Sequence, residues 1–560
     1  MNRGRRLRYA APGATVDNYR DLFTESGGRA ALAETVQQLL RERADGAGVA
    51  MKFKDRTWTW REHLGDAATQ AAALIDAADP DRPLHVGVLL GNTPDMLTAM
   101  AAAGLGGYVL CGINTTRRGD ALARDIRRAD CQFLLTDGDH RDLLDGVDLT
   151  GVQVLEVGTP QWAELTRRVA APATLAPYRE VTAADTYMLI FTSGTSGDPK
   201  AVKMMHAMVL LAGAALAGRY ELGTADVCYL SMPLFHSNAV LAGWSVALNA
   251  GAAMAPARFT ASRFLEDIRR YGATYMNYVG KPLAYILARP ERPDDAGNPL
   301  RVAFGNEASD RDIAEFARRF GCEVWDGFGS TENAVTVTRE DGCPSGSIGK
   351  GFPGVAIYNS ETLTECAVAE FDEHGALTNA EDAIGELVNT QGSGMFAGYY
   401  NDQDATDERM RHGMFWSGDL AYRDADGWIF LAGRTADWMR VDGENMTSAP
   451  IERILIRLTA ISTAAVYPVP DEQVGDQVMA AIVLQDEATL TPDEFSGFLA
   501  GQPDLSPKAW PRHVWIADRL PSTATNKVLK RELIAMGAQP AGRTLWTREG
   551  KSYRVATGQE

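Results

Sequence analysis

From Met96 to Ile113 the chain reads MLTAMAAAGLGGYVLCGI, eighteen residues without a charge. A stretch of that length is a candidate membrane span. Its surroundings argue for something else. HVGVLL, just upstream, has the composition of a buried strand, and Thr93–Pro94 has the form of a helix N-cap with a first-turn proline. Gly104, Gly106 and Gly107 divide the stretch, and YVLCGI is again strand-like. The segment is therefore expected to be strand–helix–strand. The alternation continues: CQFLLT and VQVLEV read as strands, and ALARDIRRA reads as a helix. Such alternation through roughly the first 300 residues predicts an α/β fold with largely parallel sheets and flanking helices.

After about Gly385 the texture changes. SGDL, RDADGW and VDGEN are turn-rich and predict short antiparallel strands forming a β-barrel-like part. From Ala449 onward, IERILIRL, AAVYPVP and QVMAAIVL read as a small α+β unit. With 560 residues, more than one domain is expected. The boundary falls near Gly433–Arg434: residues 1–433 form a large domain, and 434–560 form a small mobile one.

Composition narrows the function. A net charge of −18 argues against a general nucleic-acid binder, which needs a basic face. It leaves room for ATP, which a few placed donors can hold. The six cysteines, at 111, 131, 228, 322, 343 and 366, include no CxxC pair. They read as reduced thiols of a cytoplasmic protein. Arg3, Arg5, Arg6 and Arg8 crowd the start of the chain, but no apolar stretch follows them. A solvated tail is expected there, not an export signal.

FTSGTSGDPK, Phe191 to Lys200, follows the strand-like TYMLI. Gly194 and Gly197 permit close backbone approach to a ligand. Thr192, Ser193, Thr195 and Ser196 bring hydroxyls, Lys200 brings a charge, and successive N–H groups can cradle an anion. The spacing is not that of a Walker A loop, because two residues separate the glycines and Pro199 precedes the lysine. Taken alone, the stretch is equally a plain turn between strands.

Other motifs follow in order. PLFHSNA holds Phe235 and His236, and a histidine can meet a carboxylate near neutral pH. FGNE spans Phe304, Gly305, Asn306 and Glu307. WDGFGSTEN holds Asp326, Gly327, Phe328, Thr331 and Glu332, and a carboxylate suits magnesium. FWSGDL holds Asp419, and GRTADWMRVDGENM holds Arg434, Arg440 and Gly443. LPSTATNKVLKREL holds Lys527. Each motif alone has a plain reading: a core histidine, a helix N-cap, a turn aspartate, a solvated lysine.

Together, from Tyr187 to Leu533, the ordered set resembles the acyl-adenylate-forming enzymes: acyl-CoA synthetases, luciferases and peptide-synthetase adenylation domains. RFTASRFLEDIRRYGATYMNYVG and LWTREGKSYRV are similar to the very-long-chain acyl-CoA synthetase and fatty-acid transport protein branch. The resemblance implies roles. Residues 192–197 and Lys200 would cover the ATP phosphates. Gly305, Asn306, Glu307, Asp326, Gly327 and Phe328 would flank the adenine. Thr331 would touch phosphate, and Glu332 would hold Mg2+. Asp419 and Arg434 would meet the ribose or phosphate. Arg440 and Gly443 would line the pantetheine tunnel, His236 would sit by the carboxylate, and Lys527 would be the catalytic lysine. Two positions depart from the family pattern: Asn526 stands where a glycine is usual, and Ala436 stands at the hinge position.

The reaction implied joins a hydrophobic carboxylic acid to ATP as acyl-AMP, releasing pyrophosphate, and then passes the acyl group to coenzyme A with release of AMP. Long fatty acids and steroid-like acids are both candidates. Phe235, His236, Val240 and residues 278–305 are expected around the acyl group. NAVLAGWSVALNAGAA either leaves a wide pocket or packs as a tight helix pair. An acyl-AMP ligase loading a carrier protein is an alternative, and so is a non-catalytic lipid-binding protein. Only 33 residues follow Lys527, so a carrier would be a separate partner. Greasy substrates are compatible with peripheral membrane contact.

Overall fold

The computed structural model describes residues 33–167, 175–192, 199–340, 342–375, 377–434, 438–441, 444–471, 475–523, 527–538 and 544–556. The arginine-rich start, Ser193 to Gly197 of the glycine loop, Ala436, Gly443 and Asn526 lie outside them. The chain packs as two compact units, Met1–Ala334 with Gln391–His412, and Val335–Thr390 with Gly413–Glu560.

The first unit holds two sheets. One runs in the order Gln153–Glu156, Phe133–Thr136, His85–Leu89, Val109–Gly112, Thr186–Thr192, Lys200–Met205. It is parallel except for the last pair, which is antiparallel. The other runs Glu323–Gly327, Val302–Asn306, Tyr275–Val279, Val227–Leu230, Ala253–Pro256, Val49–Phe53, Arg56–Thr59. It too is parallel up to a closing hairpin.

The uncharged stretch is strand–helix–strand, as its flanks predict. Thr93 caps the helix Pro94–Gly106 by accepting from the Met96 N–H. The glycines act differently from the expectation. The helix runs through Gly104 and Gly106 and ends only at Gly107, which is left-handed at φ 70°. A Cβ on Gly104 would come within 2.5 Å of Leu40 and 2.9 Å of Val36, so the missing side chain lets the helix Val36–Arg43 pack closely. Glycine costs helix propensity of about 1 kcal/mol relative to alanine. Here close packing outweighs it. Among the described residues, no helix is long and apolar enough to cross a membrane.

In the second unit, an antiparallel sheet runs Val337–Thr338, Ser347–Gly351, Ile429–Arg434, Met414–Arg423, Gly385–Asn389, Val355–Tyr358. Its strands are not all short: Met414–Arg423 spans 10 residues. A separate sheet begins at Trp438 and carries the α+β part, with the helices Ser448–Leu455 and Pro492–Ala500 over the strands Ile461–Asp471 and Gly475–Leu484. Its own core includes Ile451, Val466, Ile482, Phe495 and Trp546.

Candidate active site

The parallel strands Tyr275–Val279, Val302–Asn306 and Glu323–Gly327 end together, with Val279, Asn306 and Gly327 in register. Carboxyl ends of parallel strands are where open α/β sheets bind ligands. Three of the motif segments meet here. Gly305 must lack a side chain, because a Cβ would lie 2.3 Å from the Tyr278 carbonyl. Glu307 follows in the left-handed region at φ 67°, an uncommon conformation for a side chain of this size. The Asp326 carboxylate accepts from the Ala308 N–H at 3.0 Å and from the Tyr278 hydroxyl at 3.1 Å. It thereby fixes the turn after the neighbouring strand.

Thr331 is buried and shares a 2.9 Å hydrogen bond with Ser237, the residue after His236. Phe235 is buried and His236 is half-buried at the start of a helical segment. That segment is helix at Ser237–Ala239, π-helix at Val240–Trp244, and helix again at Ser245–Ala250. π-turns concentrate at functional sites. Ser245 packs directly against Gly213, where a Cβ would lie 2.5 Å from the Ser245 carbonyl carbon. The small residues of this stretch thus serve close helix packing.

The glycine loop bridges two antiparallel strands, with Thr192 opposite Lys200. Lys200 is buried, its side chain 9% exposed, and it pairs with Glu408 at 3.2 Å. The ammonium also lies 5.3 Å from the centre of the Tyr399 ring. On its other side, Tyr399 donates from its hydroxyl to Glu332 at 2.8 Å. Tyr399 itself is held beside the Lys200 strand, where the Tyr400 N–H donates to the Ala201 carbonyl at 2.8 Å and Val202 bridges to Tyr399. Burial, then the Glu332 charge, push the Tyr399 hydroxyl well above its ordinary pKa, so it stays a donor. Sequence reasoning missed Tyr399. Its only signal was the aromatic run GMFAGYYN, distant in the chain from both residues it joins.

Among the described residues, the Glu332 carboxylate accepts from the Tyr399 hydroxyl. Among the described residues, no cluster of three or more His, Cys, Asp or Glu could hold a metal unaided. A magnesium ion commonly binds through one or two carboxylates and the phosphates of its substrate. The donor set around Glu332 fits a metal that arrives with a nucleotide.

The second unit holds the remaining motif residues. Asp419 and Arg434 face each other on adjacent strands, and the Arg434 Nε lies 3.0 Å from the Asp419 carboxylate. Asp419 is buried, and its N–H donates to Ser417 Oγ. Arg440 lies on the strand Trp438–Val441. Lys527 is exposed. Its N–H donates to Thr523 Oγ1 at 3.1 Å and its carbonyl accepts from the Thr523 N–H at 2.8 Å.

A family model described as AMP-binding enzyme matches residues 40–400, and one described as AMP-binding enzyme C-terminal domain matches residues 450–527. The chain is 51% identical to the medium/long-chain-fatty-acid–CoA ligase FadD17 of Mycobacterium marinum, over 91% of this chain and 98% of that protein. It is 43% identical to the steroid-22-oyl-CoA synthetase of Rhodococcus jostii, over 89% and 90%. The fold matches ATP-bound MatB from Rhodopseudomonas palustris, with a TM-score of 0.76 at 22% identity over 90% and 99% of the two chains. The ordered motifs, the strand-end site and these relatives agree: the chain belongs to the AMP-binding enzyme family.

Proposed function

We propose that the chain is an AMP-forming acid–CoA ligase that activates a hydrophobic carboxylic acid, either a medium- or long-chain fatty acid or a steroid-like acid. The carboxylate attacks the α-phosphorus of ATP, giving acyl-AMP and pyrophosphate. The thiol of coenzyme A then attacks the acyl carbon and AMP leaves. Support for these substrates comes from the fatty-acid–CoA ligase at 51% identity and the steroid-22-oyl-CoA synthetase at 43%.

One observation carries the site reading: Tyr399 joins Lys200, over its ring, to Glu332, at its hydroxyl. Phosphoryl chemistry asks chiefly for placed charge, since negative charge gathers on phosphate oxygens and on the departing pyrophosphate. Lys200 and the loop N–H groups would receive that charge. Thr331 would donate to phosphate, and the Gly305–Glu307 and Asp326–Phe328 segments would flank the base. Asp419 would accept from the ribose hydroxyls. Mg2+ at Glu332, when bound, neutralises phosphate charge. Residues 434–560 act as a lid that presents Lys527 to the α-phosphate and, in a second arrangement, lines the pantetheine path with Arg440 and Gly443. In support, a separate sheet starts at Trp438 and the C-terminal family match ends at Lys527. The cytoplasm, where ATP and coenzyme A are available, is the proposed location, with peripheral membrane contact during uptake of greasy acids.

The test is a panel of fatty and steroid acids with ATP and Mg2+, with and without coenzyme A. Pyrophosphate release and a CoA-thioester product are expected. Acyl-AMP that coenzyme A cannot discharge would replace this reading with carrier loading, and no pyrophosphate with any acid would remove the enzyme reading.

A further inference from the structure

The segment after His236 is tied to the nucleotide face by a directional hydrogen-bond relay. Asn306 Nδ2 donates to the Gly327 carbonyl at 2.7 Å. Asn238 Nδ2 donates to Asn306 Oδ1 at 2.8 Å, and Asn277 Nδ2 donates to Asn238 Oδ1 at 2.7 Å. A carbonyl can only accept, so the Gly327 end fixes the orientation of all three amides. None can flip without placing two oxygens in contact. Asn238 and Asn277 are buried, and the Asn277 Oδ1 left over at the far end packs against Gly243 of the π-turn, where a Cβ would lie 2.9 Å away. The Tyr275 hydroxyl, from the same strand as Asn277, donates to the Ala242 carbonyl at 2.7 Å and holds that turn in place.

The neighbouring residue makes a second attachment, the buried Ser237–Thr331 hydrogen bond at 2.9 Å. Gly327 and Thr331 are the two ends of the GFGST turn, and Glu332 follows it directly. Two consecutive side chains are therefore linked to both ends of one turn, Ser237 directly and Asn238 through Asn306. We propose that Ser237 and Asn238 are positioning residues that clamp this turn, so that the segment bearing His236 on the carboxylate side sets the placement of Thr331 and Glu332 on the phosphate side. The inference rests on the proposed nucleotide role of that turn. An ordinary buried polar network would contribute to folding alone. The clamp instead acts on the step in which carboxylate and α-phosphorus must meet in line, where displacement of a supporting group by about 1 Å costs on the order of 10²-fold in rate.

Asn238→Asp tests it with almost no change of volume. The carboxylate still accepts from Asn277 but cannot donate to Asn306. If Asn306 turns to donate, its own oxygen meets the Gly327 carbonyl. The expected result is a roughly 30-fold fall in kcat for acyl-AMP formation, with KM for ATP and for the acid within about threefold. Discharge of supplied acyl-AMP by coenzyme A should stay within about twofold, because that step does not need the turn in line with a phosphate. Ser237→Ala should lower the same kcat by about fivefold, and its volume change is small enough for folding to persist. Melting temperature is recorded for both. Wild-type adenylation in either folded variant, an equal loss in both half-reactions, or a loss that appears only in KM overturns the clamp. If the unaltered protein releases no pyrophosphate with any acid, the nucleotide reading fails first and takes the clamp with it.

Discussion

Lys200 and Lys527 are two cations proposed to serve the phosphates of ATP, and they are built in opposite ways. Lys200 starts a strand, is buried, and is held between Glu408 and the face of Tyr399. Lys527 is exposed, and what its turn fixes is backbone, through Thr523. Burying the Lys200 ammonium costs solvation that its contacts must offset, here to a carboxylate that itself faces solvent. Exposure leaves the Lys527 side chain in contact with water. The first is part of a prepared floor, and the second suits a group delivered for one step. Activity and stability should therefore separate at one lysine and fall together at the other.

The sharpest break is Lys527→Ala. Removal of a charge aimed at the transition state should cut acyl-AMP formation by about 10³-fold, at the upper end for a single stabilising group. Melting temperature should not move, because exposed substitutions cost within about 0.5 kcal/mol. Discharge of supplied acyl-AMP by coenzyme A should persist. Near-normal pyrophosphate release from the variant removes Lys527 from the mechanism.

Lys200→Ala should be the counterpart. Acyl-AMP formation is expected to fall by about 10²-fold, chiefly through KM for ATP, together with a loss of roughly 1–3 kcal/mol in stability as a buried partner disappears. Calorimetry and pyrophosphate release on the same preparation decide it. A variant as stable as the parent would mean that Lys200 is no more structural than Lys527, and the contrast would collapse.

Tyr399→Phe probes what joins the floor together. The ring beside Lys200 stays, while the hydroxyl's bond to Glu332 and its contact with Arg409 are lost. A hydrogen bond to a charged group is worth about 1.5–3 kcal/mol, so kcat/KM for adenylation should fall roughly tenfold or more. Titration of Mg2+ should show a weaker requirement met only at higher concentration. Unchanged kinetics would leave Tyr399 as packing.

What could be read in the sequence follows from the range of the interactions. The strand–helix–strand at 85–112 was legible because its signals are local: a cap at Thr93, β-branched runs, a glycine end. Gly305, Asn306, Asp326 and Gly327 were legible as motif residues, and they do fall at aligned strand ends. Gly104 misled because its use depends on Leu40 and Val36, far away in the chain. Tyr399 and Asn238 were invisible for the same reason. Tyr399 acts through Glu332 and Lys200, and Asn238 acts through Asn306 and Asn277. No periodicity encodes such pairs, and only the closure of two sheets brings them together.

The smallest effect concerns acid, and it again sets the two regions apart. His63 and His206 belong to the first unit, and burial lowers each to about 4. Unfolded, each would titrate near 6.5. Between those values the unfolded chain binds more protons than the folded one, so stability rises with pH across the window and is lost as pH falls through it. Each histidine should cost about 2 kcal/mol on going from pH 6.5 to pH 5. Asp66 and Asp95, whose carboxyls burial raises, offset a fraction of this at the acid end. In the second unit, among the described residues, His513 is the one histidine whose pKa is lowered, and it is half-buried. Amide protection at pH 5, corrected for the intrinsic exchange rate, should therefore fall in the helix Trp60–Asp76, which carries His63, more than in the strand His513–Ile516. His63→Leu should remove part of the acid sensitivity of the first unit, which His206 and His85 share, and leave activity at pH 7 unchanged, since among the described residues neither ring nitrogen of His63 has a hydrogen-bond partner to lose. An unaltered pH profile in that variant would show that protons act elsewhere, and an equal loss of protection in both units would erase the difference between the unit that holds Lys200 and the unit that carries Lys527.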